Sequence, residues 1–291
     1  MDPDATSLGE IDRLRRRLDE MDRQLLALLN QRMEVAKRIG ERKRRESQLI
    51  FDPVREEAVI RDLVKQDAGS LSPLGIRAIF QEIFSLSRAQ QGVLRIGCCG
   101  GAASLLAAHR RFGSSDGYRM VRSAEEGKRL LVEESIDILV LPKQRLLDWS
   151  HWLLRKPDAQ SPVTVCGESD LPHLLAIHRM GWRSRFYIIR LGKEPIRPQD
   201  GSQSQKAVFL LAGCSREAMD RWRHRFGGCW APTNPCAGGK EPPDASALVH
   251  LWEVFDPPSR EALRETCSAL CGDSAWIVLL GAYPVSSDTR L

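Results

Sequence analysis

Charged side chains in the first 91 residues have the types and spacing of an anion-binding site. Arg32 lies inside a long helical pattern, and Lys43 follows eleven residues later. Eleven residues are about three helical turns, or roughly 16 Å, so both side chains point nearly the same way. A guanidinium is a natural bidentate host for a carboxylate. Long side chains in this arrangement can flank a small dianion.

A second charged pair, Arg55 and Glu56, lies in the first turn of the next predicted helix. Asp52 is the predicted N-cap of this helix, and Pro53 is its first residue. Backbone N–H groups at a helix N-terminus also attract anions. The start of this helix therefore adds a second set of groups suited to an anionic ligand.

A long apolar seam must position the first of these groups. Apolar residues recur with the 3.5-residue period of one helix packing along another. The two interleaved rows are Ile11, Leu18, Leu25 and Ile39, and Leu14, Met21, Leu28 and Val35. Arg32 occupies the one position of the first row where an apolar residue is missing. An unpaired buried charge costs on the order of several kcal/mol. Arg32 therefore either reaches solvent or a neighbouring carboxylate, or binds a ligand anion.

The length of the first helix predicts a dimer. It is expected from about Leu8 to Arg45, which is more than about 50 Å at 1.5 Å per residue. A single helix of that length with one apolar stripe cannot bury itself and needs a partner helix. Arg15 lies seventeen residues before Arg32, about 25 Å away along the same helix. If Arg15 shares the site of Arg32, it comes from a second chain.

The first segment resembles the all-helical chorismate mutase family. The pattern that carries the resemblance is LRRRLDEMDRQLLALLNQR, then Lys43, then DPVRE at 52–56 and SRAQQ at 87–91. It covers the whole segment, with no gap through the long helix. The resemblance implies an intertwined dimer of three-helix chains with two active sites, each built from residues of both chains.

The resemblance also implies a role for each site residue. Arg15 of the partner chain and Arg32 clamp the substrate carboxylates. Lys43 and Gln91 hydrogen-bond the ether oxygen, while Glu56 holds the ring hydroxyl. The residues that complete the pocket around the second carboxylate and the ring are Asp52, Arg55 and Ser87.

The chemistry of this reaction fits the residue types. Rearrangement of chorismate to prephenate is intramolecular, so catalysis comes from binding the compact conformer and stabilising charge on the breaking C–O bond. Cations and amide donors suffice, and we expect no nucleophile, metal or cofactor. The first 91 residues contain no histidine and no cysteine. Isochorismate pyruvate-lyase and aminodeoxychorismate mutase are alternatives on the same fold, and Glu56 favours chorismate.

The rest of the chain alternates strands and helices, which predicts a multidomain protein. We expect an all-α mutase domain over 1–91, a truncated α/β lobe over 92–193, a polar linker over 194–205 and an α+β domain over 206–291. The last domain is predicted to have the βαββαβ order of a ferredoxin-like fold.

These two regions resemble prephenate dehydratase and the ACT regulatory domain, the usual companions of the mutase in a bifunctional enzyme of aromatic amino acid biosynthesis. The motifs that carry the resemblance are IGCCGGAASLLAAHRRFG, DILVLPKQR, SRF at Ser184–Phe186, and VLLGAYP. The resemblance implies that the chain acts in the shikimate pathway.

The dehydratase-like lobe departs from its family's pattern. The family's E-N-S triplet is replaced by Gln144, Arg145 and Leu146, and polar residues after the first glycines are replaced by Cys98, Cys99, Gly101 and Ala102. Dehydration requires an acid to expel the ring hydroxyl. We therefore expect no dehydratase activity, with Ser184 a structural survivor. A full bifunctional enzyme and a non-catalytic regulatory partner of a shikimate-pathway enzyme remain the alternatives.

The ACT-like segment also departs from its family. It lacks the G-A-L signature, and APTNPC replaces E-S-R-P. A structural or dimerising role is favoured over amino-acid control, and binding of another small ligand stays open.

Composition excludes several other classes. The net charge is only +5, with acidic residues interspersed among basic ones, so we expect no nucleic-acid partner. RKRR at 42–45 is read as a solvated helix terminus or a short basic patch. No apolar run is long enough for a bilayer, and the acidic N-terminus lacks a signal-peptide core. The eight cysteines lack CxxC spacing. We expect a cytoplasmic homodimer with reduced thiols and no membrane partner.

Overall fold

A computed structural model describes residues 3–67, 69–154, 163–171, 185–192, 205–231, 249–271 and 276–284. The chain begins with three helices: α1 (Pro3–Arg45), α2 (Pro53–Gln66) and α3 (Pro73–Gln91). The helix α1 starts at Pro3, earlier than the predicted Leu8. The predicted start of α2 at Pro53 is confirmed.

Side-chain caps explain where the second and third helices begin. The Asp52 carboxylate accepts a hydrogen bond from the Arg55 backbone N–H at 3.0 Å, and the Ser72 hydroxyl accepts one from the Gly75 N–H at 3.0 Å. Each cap is followed by a proline at the first helical position, where the missing N–H has no intrahelical partner to lose. The predicted N-cap role of Asp52 is confirmed.

The helix α1 packs on α3 through the C-terminal part of α1. Ala36 is buried on this face, and a Cβ built at Gly40 would lie 2.7 Å from the Gln91 Cα atom. The two apolar rows of the seam remain exposed on the single chain, with side chains between 44% and 61% exposed. Arg32 lies one turn before Ala36 and is half-buried. Its neighbours along the seam, Leu28 and Val35, are exposed.

A five-stranded sheet follows the helices. Its elements are β1 (Arg95–Cys99), α4 (Ala102–Phe112), β2 (Gly117–Val121), α5 (Ala124–Val132), β3 (Ile138–Pro142), a 3₁₀ turn (Lys143–Trp149), α6 (Ser150–Leu153), β4 (Val163–Asp170) and β5 (Arg185–Leu191). The strand order is β2-β1-β3-β5-β4. β1 is parallel to β2 and β3, while β5 is antiparallel to β3 and β4. The strand β4 was not predicted from the sequence.

The C-terminal region forms a four-stranded antiparallel sheet with order β7-β8-β6-β9. Its elements are β6 (Gln205–Ala212), α7 (Arg216–Phe226), β7 (Cys229–Ala231), β8 (Val249–Phe255), α8 (Arg260–Cys271) and β9 (Trp276–Pro284). The predicted βαββαβ order is confirmed. Ser184 and residues 194–204 of the predicted linker lie outside the described residues.

The two sheets pack on each other and share one hydrophobic core. Val165 of β4, Ile189 of β5 and Leu210 of β6 belong to the same buried cluster as Leu280 of β9. A Cβ at Gly281 of β9 would collide with the backbone carbonyl of Val165, so glycine allows the two sheets to approach closely at this point. Within the described ranges, no helix is both long and apolar enough to cross a bilayer.

Candidate active site

Arg32 lies half-buried between α1 and α3. Its Nη1 donates a hydrogen bond to the Ser87 hydroxyl, and its guanidinium carbon lies 5.6 Å from the centre of the Phe84 ring. Burial lowers the pKa of Arg32 below its ordinary value, and the negative charge of Glu56 partly offsets this effect. A guanidinium stays protonated through such a change. Arg32 is therefore a fixed cation on the side of α1 that faces α3.

Ser87 and Gln91 form the α3 side of this site. The Ser87 hydroxyl donates to the Ile83 carbonyl at 2.7 Å, which holds its oxygen toward Arg32. Gln91 Nε2 donates to the Ser87 carbonyl at 3.2 Å. The other end of this amide, Oε1, is buried and has no hydrogen-bond partner among the described residues. A buried amide with one unpaired end is suited to binding a polar ligand atom.

Lys43 lies near the C-terminal end of α1 and is half-buried. Its ammonium donates to the Ile50 carbonyl at 3.0 Å. An ammonium carries three N–H donors, so this contact orients Lys43 and leaves it able to donate to a ligand. The next residue, Arg44, donates to the Gln91 carbonyl at 2.7 Å, which ties the end of α1 to the end of α3.

Glu56 is held by two arginines. Its Oε1 accepts from Arg88 Nη1, and its Oε2 accepts from Arg111 Nη1 at 3.0 Å. Arg88 belongs to α3, whereas Arg111 belongs to α4 of the following lobe. The carboxylate is therefore oriented by both the helical segment and the sheet-containing lobe.

Arg88 is itself fixed by a buried acid. Its guanidinium donates to Asp116 Oδ2 from Nε at 3.2 Å and from Nη2 at 2.9 Å, and Nη2 also donates to the Phe112 carbonyl. Burial alone lowers the pKa of Arg88, but the carboxylates of Glu56 and Asp116 more than offset this, so the pKa lies above its ordinary value. Arg88 is a permanent cation with three partners.

Three predicted site residues have no contact with the cluster of Arg32, Ser87 and Gln91 among those described. Arg15 is exposed and pairs with Asp12 on the same helix at 3.4 Å. Arg55 is exposed on α2, and Asp52 caps that helix. The contacts of the single chain thus join Arg32, Ser87 and Gln91 directly, while Glu56 acts on Arg32 through its charge.

Sequence reasoning missed four residues that shape the site: Gly40, Arg44, Arg88 and Arg111. A glycine inside an otherwise helical pattern signals a close packing contact, and Gly40 meets Gln91 in this way. Arg44 was treated as part of the RKRR helix terminus. The role of Arg111 carries no local signal, because its partner Glu56 is 55 residues away in the chain.

A second charged cluster lies between the two sheets of the tail. Lys143 Nζ lies 2.5 Å from Glu168 Oε2 and 2.6 Å from Glu253 Oε1. Lys206 Nζ lies 2.9 Å from Glu168 Oε2 and 2.9 Å from Glu253 Oε2, and the Tyr187 hydroxyl donates to Glu253. Burial alone raises the pKa of Glu253, but the two ammonium groups lower it to about 2. We call Lys143, Glu168, Lys206 and Glu253 the buried quartet.

The first four residues of the turn after β3, residues 143–146, include no acid. Lys143 turns into the buried quartet, and Leu146 is fully buried in the core. Arg145 is half-exposed and pairs with Asp148 at 3.1 Å. At the end of β1, burial raises the pKa of the Cys98 thiol to about 12, so this thiol stays protonated at neutral pH.

The comparison with protein families assigns the helical segment. The family described as chorismate mutase type II matches residues 14–92. This range contains α2, α3 and most of α1, including Arg15, Arg32 and Gln91. The N-terminal segment is therefore a chorismate mutase type II domain.

Two curated relatives extend the similarity beyond this domain. The chain is 24% identical over 169 residues to the bifunctional chorismate mutase/prephenate dehydratase of Stutzerimonas stutzeri, covering 56% of this chain and 46% of that protein. It is 27% identical over 178 residues to the enzyme of the same description from Aquifex aeolicus (strain VF5), covering 58% of this chain and 49% of that protein. The matched part spans about half the length of these relatives.

Two solved structures show a weaker likeness. A protein described as GqqA, a novel type of quorum quenching acylase, aligns with a TM-score of 0.44 and 16% identity, covering 67% of this chain and 97% of that chain. The prephenate dehydratase from Streptococcus mutans aligns with a TM-score of 0.42 and 12% identity, covering 66% of this chain and 97% of that chain.

Proposed function

We propose that the chain is a chorismate mutase that converts chorismate to prephenate in its helical segment. The observation that carries the proposal is the contact set around Arg32. Arg32 is a half-buried cation that donates to the Ser87 hydroxyl, and the Gln91 amide, which donates to the Ser87 carbonyl, keeps a buried, unpaired oxygen. Cations and an amide with no nucleophile suit an intramolecular rearrangement, whose catalysis depends on binding and electrostatics.

Each side chain has a part in this proposal. Arg32, with Arg15 of a second chain, binds the two carboxylates of the substrate. Lys43 and Gln91 stabilise the negative charge that grows on the ether oxygen as the C–O bond breaks. Glu56 accepts a hydrogen bond from the ring hydroxyl. The side chains that complete the pocket are Asp52, Arg55 and Ser87.

We propose an intertwined homodimer as the active form. The exposed apolar rows of α1 support this proposal, because a contiguous apolar stripe of this length is covered in stable proteins. Arg15 lies about 25 Å from Arg32 along one helix, so a shared site needs a second chain.

Mixed dimers test the shared site. Arg15→Ala and Arg32→Ala should each be inactive alone, because every site of either homodimer lacks one arginine. Coexpression should restore about one quarter of wild-type activity, since about half of randomly assorted dimers then carry one intact site of two. No restoration in mixtures would rule out a site built from both chains.

For the tail, we propose that dehydratase activity is absent. The residues after β3 support this proposal, because Leu146 is buried and Lys143 is paired within the buried quartet, while Gln144 and Arg145 are not acids. For the ACT-like segment we propose a structural or dimerising role. Titration of phenylalanine, tyrosine and prephenate, followed by tryptophan fluorescence, tests ligand binding by the tail.

The substrate assignment rests on Glu56, which favours a ring hydroxyl in the position that chorismate has. The alternative is isochorismate cleavage or aminodeoxychorismate rearrangement on the same fold. We also propose a cytoplasmic location, in keeping with the buried thiols Cys98 and Cys99.

Arg32→Ala tests the function directly. We expect kcat/KM for chorismate to fall by about 10²- to 10³-fold, the range for losing one preorganised electrostatic donor. Arg38→Ala is the matched control, because Arg38 is exposed on the same helix, and it should keep wild-type activity. Equal activity of the Arg32 and Arg38 variants would contradict the proposal, and cleavage of isochorismate with chorismate untouched would replace the substrate.

A further inference from the structure

We propose that the lobe following the helical segment supplies positioning residues for the mutase site. Arg111 of α4, together with Arg88 held by Asp116, fixes the carboxylate of Glu56. This inference rests on the proposed mutase function and adds to it. It makes the sheet-containing lobe part of the mutase machinery.

The geometry of Glu56 carries the inference. Each carboxylate oxygen accepts a hydrogen bond from a different guanidinium, Arg88 on one side and Arg111 on the other. The Glu56 side chain is only 12% exposed. A carboxylate offers about four acceptor positions, so two arginine contacts fix its orientation and leave acceptor capacity for a ligand hydroxyl.

The two arginines are themselves held in place. The Arg111 guanidinium carbon lies 5.2 Å from the centre of the Phe51 ring and 5.6 Å from that of Phe112. These two rings contact edge to face with centroids 5.1 Å apart. On the other side, Arg88 is buried and bound to Asp116 through two of its nitrogens. Neither guanidinium can move without breaking several contacts.

The turn after α4 is docked firmly on α3. The backbone N–H of Ser114 donates to Glu82 at 3.1 Å, and the Ser115 N–H donates to the Ser85 hydroxyl at 2.9 Å. Gly113 has a φ of +80°, and a Cβ there would lie 2.6 Å from the Ser85 Cβ. Glycine therefore allows the turn to approach α3, and this contact sets the distance from Arg111 to Glu56.

The chemical consequence follows from the charge of the substrate. Chorismate carries two carboxylates, so an uncompensated Glu56 beside Arg32 would repel it and would also compete for the Arg32 guanidinium. Arg88 and Arg111 compensate that charge and turn Glu56 toward a neutral hydroxyl. Arg111 acts through Glu56 and is a positioning residue.

Substitution of Arg111 in the full chain tests this role. We expect Arg111→Gln to lower kcat/KM by about 10- to 100-fold, the range for losing a hydrogen bond to a charged group, with KM raised and kcat lowered. Arg111→Lys should recover part of the loss because it keeps the charge. Arg110→Gln is the matched control, since Arg110 is exposed on the same helix, and it should leave both constants unchanged.

A double-mutant cycle separates positioning from a purely structural role. In a Glu56→Gln background, Arg111→Gln should cost less than about twofold, because the residue through which it acts is gone. An undiminished loss in that background would overturn the proposal, as would equal behaviour of the Arg111 and Arg110 variants.

Denaturation measurements do not depend on activity, so they separate the positioning role of Arg111 from the proposed mutase function. Denaturation midpoints of the same four chains should be non-additive, showing that Arg111 and Glu56 interact in solution. If the wild-type chain leaves chorismate untouched, the mutase proposal fails, and non-additive midpoints still support the contact. Additive midpoints would overturn the positioning role even in an active enzyme.

Discussion

The charged cluster around Arg32 and the buried quartet differ in the partners that their buried charges have. Around Arg32, the guanidinium has one hydroxyl partner and the Gln91 amide has an unpaired end. In the buried quartet, each ammonium contacts both carboxylates, and the tyrosine hydroxyl of Tyr187 adds a further bond to Glu253. The hydrogen-bond partner of Arg32 is neutral, whereas the buried quartet pairs two ammonium groups with two carboxylates.

Charges that bind ligands and charges that stabilise the fold differ in whether their partners balance them. The buried quartet contains two cations and two anions, so its formal charges balance. Arg32 carries a charge that burial destabilises, as its lowered pKa indicates. A cation kept in such a position gains full compensation when an anion binds. We therefore expect the balance of charge within a buried cluster to distinguish a ligand site from a structural cluster.

The largest effect is expected from breaking the buried quartet. Lys143→Met leaves two carboxylates with one ammonium between them in the core. We expect the free energy of unfolding to fall by about 3–5 kcal/mol, as for removal of one partner of a buried pair. Urea denaturation followed by tryptophan fluorescence measures this change.

Two further variants test whether the loss comes from an unbalanced buried charge. Arg129→Gln breaks an exposed pair with Glu133 at 3.1 Å and should cost less than about 1 kcal/mol. Adding Glu253→Gln to Lys143→Met removes one charge of each sign and should recover part of the loss. A cost for Lys143→Met no greater than that of Arg129→Gln would mean that the quartet does not act as a buried unit.

Acid should weaken the quartet in a defined pH window. The pKa of Glu253 is about 2 in the folded chain, against an ordinary value of 4.5. A lowered folded pKa contributes stability that is fully present above the ordinary value and is lost as pH falls toward the folded value. The stability difference between wild type and Glu253→Gln should therefore be constant at neutral pH and shrink between about pH 4.5 and 2. A difference that grows in acid would contradict this account.

A smaller effect is expected from filling the contact between α1 and α3. Gly40→Ala places a Cβ 2.7 Å from the Gln91 backbone, and overpacking of this kind costs about 1–3 kcal/mol. The shift should also move the Gln91 amide and lower mutase activity. Gly9→Ala is the matched control, since a Cβ at Gly9 meets nothing within 4 Å, and it should stabilise the helix by about 0.5–1 kcal/mol. Equal behaviour of the two variants would show that Gly40 does not set the contact.

Much of the fold could be predicted because its signals are local. Asp52 and Pro53 fix the start of α2, and the alternation of apolar strands with amphipathic helices gives the βαββαβ order of the C-terminal region. The strand β4 was missed because its second half, GESD, is polar and contains a glycine, and such residues are depleted in strands. Its antiparallel pairing with β5 joins residues at least 15 positions apart in the chain. The shared core of the two sheets depends on such long-range contacts as well.

The sequence predicted the residue types of the candidate site, but only some of the contacts between them. The predicted residues Arg32, Ser87 and Gln91 are linked by hydrogen bonds, whereas Lys43 contacts the Ile50 carbonyl. The partners of Glu56 were missed, since Arg88 and Arg111 are 32 and 55 residues away. Lys143 was passed over because a lysine after a strand is ordinarily exposed, and only the packing of two sheets explains its burial.

Product analysis after addition of chorismate tests the proposed mutase activity and the proposed absence of dehydratase activity together. Purified full-length protein is supplied with chorismate, and prephenate and phenylpyruvate are quantified in the same reaction. If the Arg32 cluster binds chorismate and the tail has no dehydratase activity, chorismate disappears, prephenate accumulates in equal amount and no phenylpyruvate forms before acid treatment. Enzymatic formation of phenylpyruvate, or chorismate left unchanged, would contradict the account.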